Sequence, residues 1–122
     1  MTQSTLKGHS ILVVEEEPLI AMDIALALEQ AGAQVATAAT AAQAIRLLEN
    51  ARPSAATVDH ALPDGDGWAL YQSLEERRIP FVVYSGYPKP DGVKAPYVAK
   101  PAEPEALVRA LAGLLMVDRS KA

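Results

Sequence analysis

Ile11-Leu12-Val13-Val14-Glu15-Glu16-Glu17-Pro18 reads as a hydrophobic strand that halts at carboxylates and passes at once into a helix. Pro18 is suited to the first helical turn, where its missing N–H would have no partner anyway. Three further apolar runs end in the same way on a polar side chain. Ala55-Ala56-Thr57-Val58 stops at Asp59, Phe81-Val82-Val83-Tyr84 at Ser85, and Tyr97-Val98-Ala99 at Lys100. In an open parallel sheet the carboxyl ends of the strands share one edge, and ligands bind there. The sequence thus predicts that Glu15, Glu16, Asp59, Ser85 and Lys100 meet in one pocket suited to a divalent cation and a phosphoryl group.

Helical patterns fill the intervals between these strands. Leu19, Met22 and Leu26, with Ile20, Ile24 and Leu28, repeat at helical spacing, and Gly32 stands where a left-handed cap would end that helix. Gln34 to Thr37 is a short strand candidate. Thr40 and Gln43 form a capping-box pair ahead of Ala44, Ile45, Leu47 and Leu48. Leu62-Pro63-Asp64-Gly65-Asp66-Gly67 is a turn-rich loop before a third helix, Trp68 to about Arg78, that buries Leu70 and Leu74. The last helix begins near Pro104 and carries Leu107, Leu111, Leu114 and Leu115, with fraying expected over Asp118 to Ala122.

One interval breaks the alternation. The eleven residues Gly86 to Pro96 include Pro88, Pro90, Pro96 and two glycines. A helix of three turns needs about eleven uninterrupted residues, and an internal proline costs roughly 3 kcal/mol. A loop or short turn is expected there. Alternating strands and helices in one short chain favour a parallel sheet covered on both faces.

Size and composition agree with this. A chain of 122 residues is one domain with one modest core, and a hydrophobic share of 50% against 21% charged predicts a folded protein. The net charge of −4, without a basic run, argues against direct nucleic-acid binding, which needs clustered Lys or Arg. With no cysteine, disulfides, thiolate metal sites and cysteine catalysis are excluded. No segment approaches the length of a transmembrane span, and Met1 to His9 lacks a signal-peptide core, so a cytoplasmic location is expected.

Adjacent carboxylates at a strand end repel one another unless a cation compensates. Mg²⁺ takes oxygen ligands and keeps several waters, so one or two carboxylates and a carbonyl suffice. Glu17 is better read as an acidic helix start favoured by the dipole. Glu15 and Glu16 alone fit either reading, and Asp59, Ser85 and Lys100 tip the choice toward a site. Asp59 ends an apolar strand, where it either caps the following loop or acts as a nucleophile that forms an acyl phosphate. Phosphoryl transfer needs positioning and neutralisation of oxygen charge. The Lys100 ammonium and the Ser85 hydroxyl are of the kinds that supply them.

These residues resemble the receiver domain of two-component response regulators, over Ser10 to Leu115. Val13-Val14-Glu15-Glu16-Glu17-Pro18 looks like the family's acidic-pair segment, and Asp59-His60-Ala61-Leu62-Pro63-Asp64-Gly65-Asp66-Gly67 like its phosphoacceptor segment. Ser85 takes the family's Ser/Thr position, and Lys100-Pro101 its lysine–proline pair. The resemblance implies an α/β, flavodoxin-like (βα)5 three-layer sandwich with a five-stranded parallel sheet, whose fourth helix the prolines of 86–96 make missing or reduced to a loop. It also implies a single domain over 1–122, with its core at about 10–117. Asp59 would accept a phosphoryl group from a sensor histidine kinase or a histidine phosphotransfer protein. Mg²⁺ would be held by Glu15, Glu16, Asp59 and the backbone carbonyl of Ala61. The Lys100–Pro101 bond would be cis. Tyr97 stands where the family keeps a switch aromatic, with half-buried strand packing as the plainer reading. Tyr87, after Gly86, either gates the site or covers the loop. His60 either tunes kinase recognition or is incidental, His9 has no role, and Trp68 is a packing anchor.

Two departures from the family pattern stand out. Glu16 is one methylene longer than the usual Asp, which matters for a cation that demands near-ideal octahedral geometry. The missing fourth helix, with Tyr84-Ser85-Gly86-Tyr87, resembles the Phe-Ala-Thr-Gly-Tyr ("FAT GUY") receiver subgroup, although Tyr84 replaces its Ala. The expected activity is self-catalysed phosphorylation and dephosphorylation, not conventional enzymology. Because the chain ends after its last helix, output is expected through contact with a downstream protein or as a phosphate sink, and a homodimer is left open. The alternative is a pseudo-receiver that binds partners without phosphorylation. A haloacid dehalogenase-type phosphatase is disfavoured because Ala61 occupies the place of its second Asp. A flavodoxin is disfavoured because the loop after the first strand is acidic.

Overall fold

The computed structural model describes residues 5–86, 88 and 92–120, with the side chains of 66 and 117–120 left out. Tyr87 therefore lies outside the described residues. Five parallel strands form the sheet: β1 (Ser10–Val14), β2 (Gln34–Ala38), β3 (Ala55–Val58), β6 (Phe81–Ser85) and β7 (Tyr97–Ala99), in the spatial order β2-β1-β3-β6-β7. Between β3 and β6 lie two short strands, β4 (Ala61–Leu62) and β5 (Gly65–Asp66). Helices α1 (Pro18–Gln30) and α4 (Pro104–Ser120) contact each other on one face, and α2 (Ala41–Asn50) and α3 (Trp68–Glu76) on the other. The flavodoxin-like fold expected from the sequence is the fold observed.

The unbroken apolar runs follow from this layering. Successive strand side chains point to opposite faces, so a strand covered on both sides must be apolar throughout. Leu12 and Val14 enter the core under α2 and α3, while Ile11 and Val13 enter the core under α1 and α4. Phe81 and Val83 likewise divide from Val82 and Tyr84. β2 is an edge strand, and its mostly exposed residues explain its weak sequence signal.

Of the two apolar stripes on α1, one is structural. Ile24 and Leu28 are buried and Ile20 packs beside them, whereas Leu19, Met22 and Leu26 are 75%, 65% and 55% exposed. Gly32 ends the turn after α1 at φ 102°, and a Cβ there would stand 3.0 Å from the backbone of Lys7. Glycine is thus required both for its conformation and for its size. The polar-looking segment before β1 contributes a core residue that the sequence did not flag. Leu6 is fully buried, and its N–H donates to the Ala31 carbonyl at 2.9 Å.

Three boundaries differ from expectation. The third helix closes at Glu76 because Arg78 turns left-handed at φ 58°, with Ile79 N–H donating to the Leu74 carbonyl. The last helix extends as far as Ser120, into the stretch expected to fray, of which 121 and 122 lie outside the described residues. The segment after Asp59 is more than a loop: β4 and β5 pair antiparallel, Ala61 opposite Asp66 and Leu62 opposite Gly65. Among the described residues of 86–96 there is no helix, as the prolines predicted, and Val93 is buried in the α2–α3 core. None of the described helices is long and apolar enough to cross a membrane.

The β4–β5 hairpin is pinned at its tip. Both Asp64 oxygens accept N–H groups at the start of α2, from Ala41 and Ala42, each at 3.0 Å. Thr40 Oγ1 takes the Gln43 N–H at 3.0 Å, and Gln43 Oε1 reaches back to the Ala39 N–H at 2.8 Å. The first three N–H groups of the helix are thereby satisfied by two side chains, Asp64 and Thr40, and Gln43 fastens the residue before the cap. The Ala42 and Ala41 N–H groups hold the Asp64 carboxyl below its ordinary value of 3.8. Its folded-state pKa is depressed, so its stabilising contribution is present above 3.8 and is lost as pH falls through the lower folded value. Asp64→Ala should unfold at a lower temperature than wild type at pH 7, with the gap narrowing below pH 4. Thermal unfolding across that range checks it.

Candidate functional site

Register brings the polar strand ends level. Val14 pairs with Val58, Val58 with Val83, and Ser85 with Ala99, so β1, β3, β6 and β7 end along one edge of the sheet. The next residue of β1 is Glu15, and that of β3 is Asp59; β6 ends on Ser85 itself, and Lys100 follows β7. Backbone bonds carry the alignment one residue further: Asp59 N–H donates to the Val14 carbonyl at 3.0 Å, and Lys100 N–H to the Ser85 carbonyl at 2.9 Å. Glu15, Asp59 and Ser85 are all buried.

The Lys100 ammonium joins the two carboxylates. It lies 2.9 Å from Glu15 Oε1 and 3.0 Å from Asp59 Oδ2. Each carboxylate has its other oxygen on a backbone donor, Glu15 Oε2 on the Glu17 N–H at 3.0 Å and Asp59 Oδ1 on the Ala61 N–H at 3.1 Å. Glu15 Oε1 has the ammonium at ion-pair distance, yet no well-directed hydrogen bond ends on this buried atom. Burial works against charge on Lys100, but its close contacts with the Glu15 and Asp59 carboxylates, with their negative charges, outweigh that and raise its pKa above the ordinary 10.5. The stabilisation this represents is complete below pH 10.5 and is lost as pH rises through the higher folded value, so it is constant near neutrality.

Glu16 stands apart from this group. It is exposed, and among the described residues no three Asp, Glu or His side chains converge as a ready set of metal ligands. Glu17 occupies the N-cap position of α1 without a side-chain cap, one step before the helical turn expected for it. Tyr97 is half-buried, and its hydroxyl donates to the Ser85 carbonyl at 3.1 Å. The Lys100–Pro101 peptide is cis, as the family resemblance implied.

Beside Asp59 sits an aromatic cluster that the sequence did not reveal. His60 is not a lone histidine: its Nδ1 is 2.8 Å from the Tyr71 hydroxyl, its ring stacks on Tyr71, and Trp68 meets it edge-on with centroids 6.1 Å apart. Tyr71 in turn stacks on Phe81 at 5.3 Å. Tyr71 follows Trp68 by three residues and so shares its helix face; that spacing was the available signal. Trp68 is partly exposed, so the packing role expected of it is shared with Tyr71.

A family model for the response regulator receiver domain matches residues 11–112. The chain belongs to the response regulator receiver family. This receiver is 37% identical over 83 residues to the sensor protein TorS of Escherichia coli, an alignment covering 67% of this chain and 9% of TorS. Among solved structures, it matches a CheY-like receiver from Methanospirillum hungatei with a TM-score of 0.85 at 26% identity, covering 93% of this chain and 98% of that one. It also matches the receiver domain of sensor histidine kinase PA1611 from Pseudomonas aeruginosa, with a TM-score of 0.79 at 27% identity, covering 89% and 98%. That structure holds a magnesium ion in its active-site cleft.

Removing Lys100 leaves two buried carboxylates facing each other. Breaking a buried pair typically costs 3–5 kcal/mol, and partial solvent access to the ammonium reduces this, so Lys100→Met should cost about 2 kcal/mol. Adding Glu15→Gln to that variant removes the repulsion and should restore part of the loss. Chemical denaturation of the two variants and wild type measures both steps.

Proposed function

We propose that this receiver accepts a phosphoryl group on Asp59 from the phosphohistidine of a sensor kinase or phosphotransfer protein. The reading is carried by one observation: a single ammonium, from Lys100, meets the buried carboxylates of Glu15 and Asp59 at 2.9 and 3.0 Å at the carboxyl edge of the sheet. An Asp59 oxygen attacks phosphorus, the P–N bond breaks, and the bonding pair leaves with the histidine ring. Water later cleaves the acyl phosphate, releasing inorganic phosphate and restoring the carboxylate. Lys100 offsets charge on the phosphoryl oxygens, and Ser85 donates its hydroxyl to one of them. Both hold charge in place without making or breaking a bond, as phosphoryl transfer requires.

The donor set suits a further cation. Two carboxylates against one ammonium leave an excess negative charge, and Glu15 Oε1 is a buried oxygen with unused hydrogen-bonding capacity. Hard oxygen ligands of this kind favour Mg²⁺. Glu15, Glu16, Asp59 and the Ala61 carbonyl are the groups proposed to hold it. Bound there, Mg²⁺ would neutralise charge on the phosphoryl oxygens.

The exposed stripe of α1 supports the choice of partner. Leu19, Met22 and Leu26 rise from the acidic edge and form an apolar ridge without a partner in the described chain. A helix carrying the donor histidine has there a surface to pack on. Tyr84-Ser85-Gly86, with no helix among the described residues of 86–96, supports the FAT GUY-type subgroup as a narrower assignment. Phosphorylation is proposed to draw on Ser85 and, through its carbonyl, on Tyr97.

A second reading rests on the exposure of Glu16: a pseudo-receiver that binds partners without metal or phosphate. Trp68 contacts His60, the neighbour of Asp59, so its fluorescence senses the site. The proposed function expects a saturable change with Mg²⁺ that Glu16→Ala weakens about tenfold or more, whereas a pseudo-receiver shows no change. Incubation with a small phosphodonor and Mg²⁺ should label wild type and leave Asp59→Asn at background; equal labelling would sink the acceptor assignment. Met22→Asp should slow labelling by a kinase while leaving labelling by the small donor unaltered.

A further inference from the structure

Tyr84 stands next to Ser85 in β6, pairs with Val98 of β7, and is only 7% exposed among the residues under α1 and α4. The phenol carries a hydroxyl into this otherwise apolar layer, where a buried polar group needs a partner. Its hydroxyl is engaged twice. It donates to the Ala102 carbonyl at 3.2 Å and accepts the Ala102 N–H at 3.2 Å. One side-chain atom thus satisfies both polar groups of a residue two places beyond Lys100. The Lys100 ammonium lies 5.3 Å from the centroid of the same ring, within range of a cation–π attraction.

The turn of residues 100–102 is consequently held at both ends. At its start, Lys100 N–H is bonded to the Ser85 carbonyl. Its far end is fastened at Ala102 by the Tyr84 hydroxyl, and the lysine side chain between them passes close to the Tyr84 ring on its way to Glu15 and Asp59. A lysine on a flexible stem would otherwise sample many rotamers, and fixing it carries an entropic cost. We infer that Tyr84 is a positioning residue for phosphoryl transfer, one that aims the Lys100 ammonium by anchoring Ala102 and offering its ring face. This rests on the proposed role of Lys100 at the phosphoryl group, but the placement of the lysine is measurable without any phosphoryl transfer.

The experiment pairs two readouts on the full chain, comparing wild type, Tyr84→Phe and Tyr84→Leu. The first is acetylation of each lysine by acetic anhydride, followed by mass spectrometry, with exposed Lys7 and Lys94 as internal references. Tyr84→Leu should raise the reactivity of Lys100 relative to the references by about fivefold, and Tyr84→Phe by about twofold, since it loses the hydroxyl but keeps the ring. The second is the rate of labelling by a small phosphodonor with saturating Mg²⁺, which should fall in the same order while the Mg²⁺ midpoint stays in place. Leu74→Ala, a buried change in α3 on the opposite face, lowers stability without touching the turn and should move neither the reactivity ratio nor the labelling rate. Unchanged Lys100 reactivity in Tyr84→Leu overturns the inference, as does labelling that ignores both Tyr84 variants. If wild type and Asp59→Asn label alike, the acceptor reading fails, and the acetylation ratio still decides where Tyr84 places the lysine.

Discussion

The ammonium of Lys100, shared by Glu15 and Asp59 at the carboxyl edge of the sheet, constrains the rest of the site. Each carboxylate sits at the end of an apolar strand with little water to solvate it, and the two would repel if left alone. The cation that reconciles them comes from the far side of the sheet order, beyond β3 and β6. It can arrive only if β7 pairs in register with β6 and the turn after β7 is held. Strand register, the fastening of Ala102 by Tyr84, and the backbone bond from Lys100 to Ser85 are therefore parts of one requirement.

The segment between β3 and α3 meets a similar requirement by other means. It carries Asp59 and Ala61 on a largely solvent-facing excursion. Asp64 ties its tip to the start of α2, and His60 ties its root to Tyr71 and Trp68 of α3. A stack from His60 through Tyr71 to Phe81 then links the neighbour of Asp59 to the start of β6, the strand that ends on Ser85. Rigid support on both sides would suit the proposed phosphoryl transfer, which depends on placement more than on reactivity.

What the sequence disclosed divides along physical lines. The strands were legible because burial on both faces leaves continuous apolar runs, and their common polar termini were legible because the ends of parallel strands coincide. The helix-free interval 86–96 was legible through proline, whose cost is local. Contacts that depend on packing between elements were hidden. The Asp64 cap joins residues more than twenty apart, and the Tyr84 hydroxyl reaches Ala102 only once β6 and β7 are paired. Leu6 was overlooked because its neighbours are polar, and which α1 stripe would be buried follows from the position of α4. Glu16 marks the other limit: an acidic pair predicts proximity to a site, while the structure turns Glu15 inward and leaves Glu16 exposed.

The most direct measurement is a crystal structure of the chain grown with Mg²⁺ and beryllium fluoride, a mimic of the phosphoryl group. The adduct is expected on Asp59, with Lys100 and Ser85 on its fluorines and Mg²⁺ held by Glu15, Glu16, Asp59 and the Ala61 carbonyl. An unmodified Asp59 still paired with Lys100, and no metal beside Glu15, would contradict it.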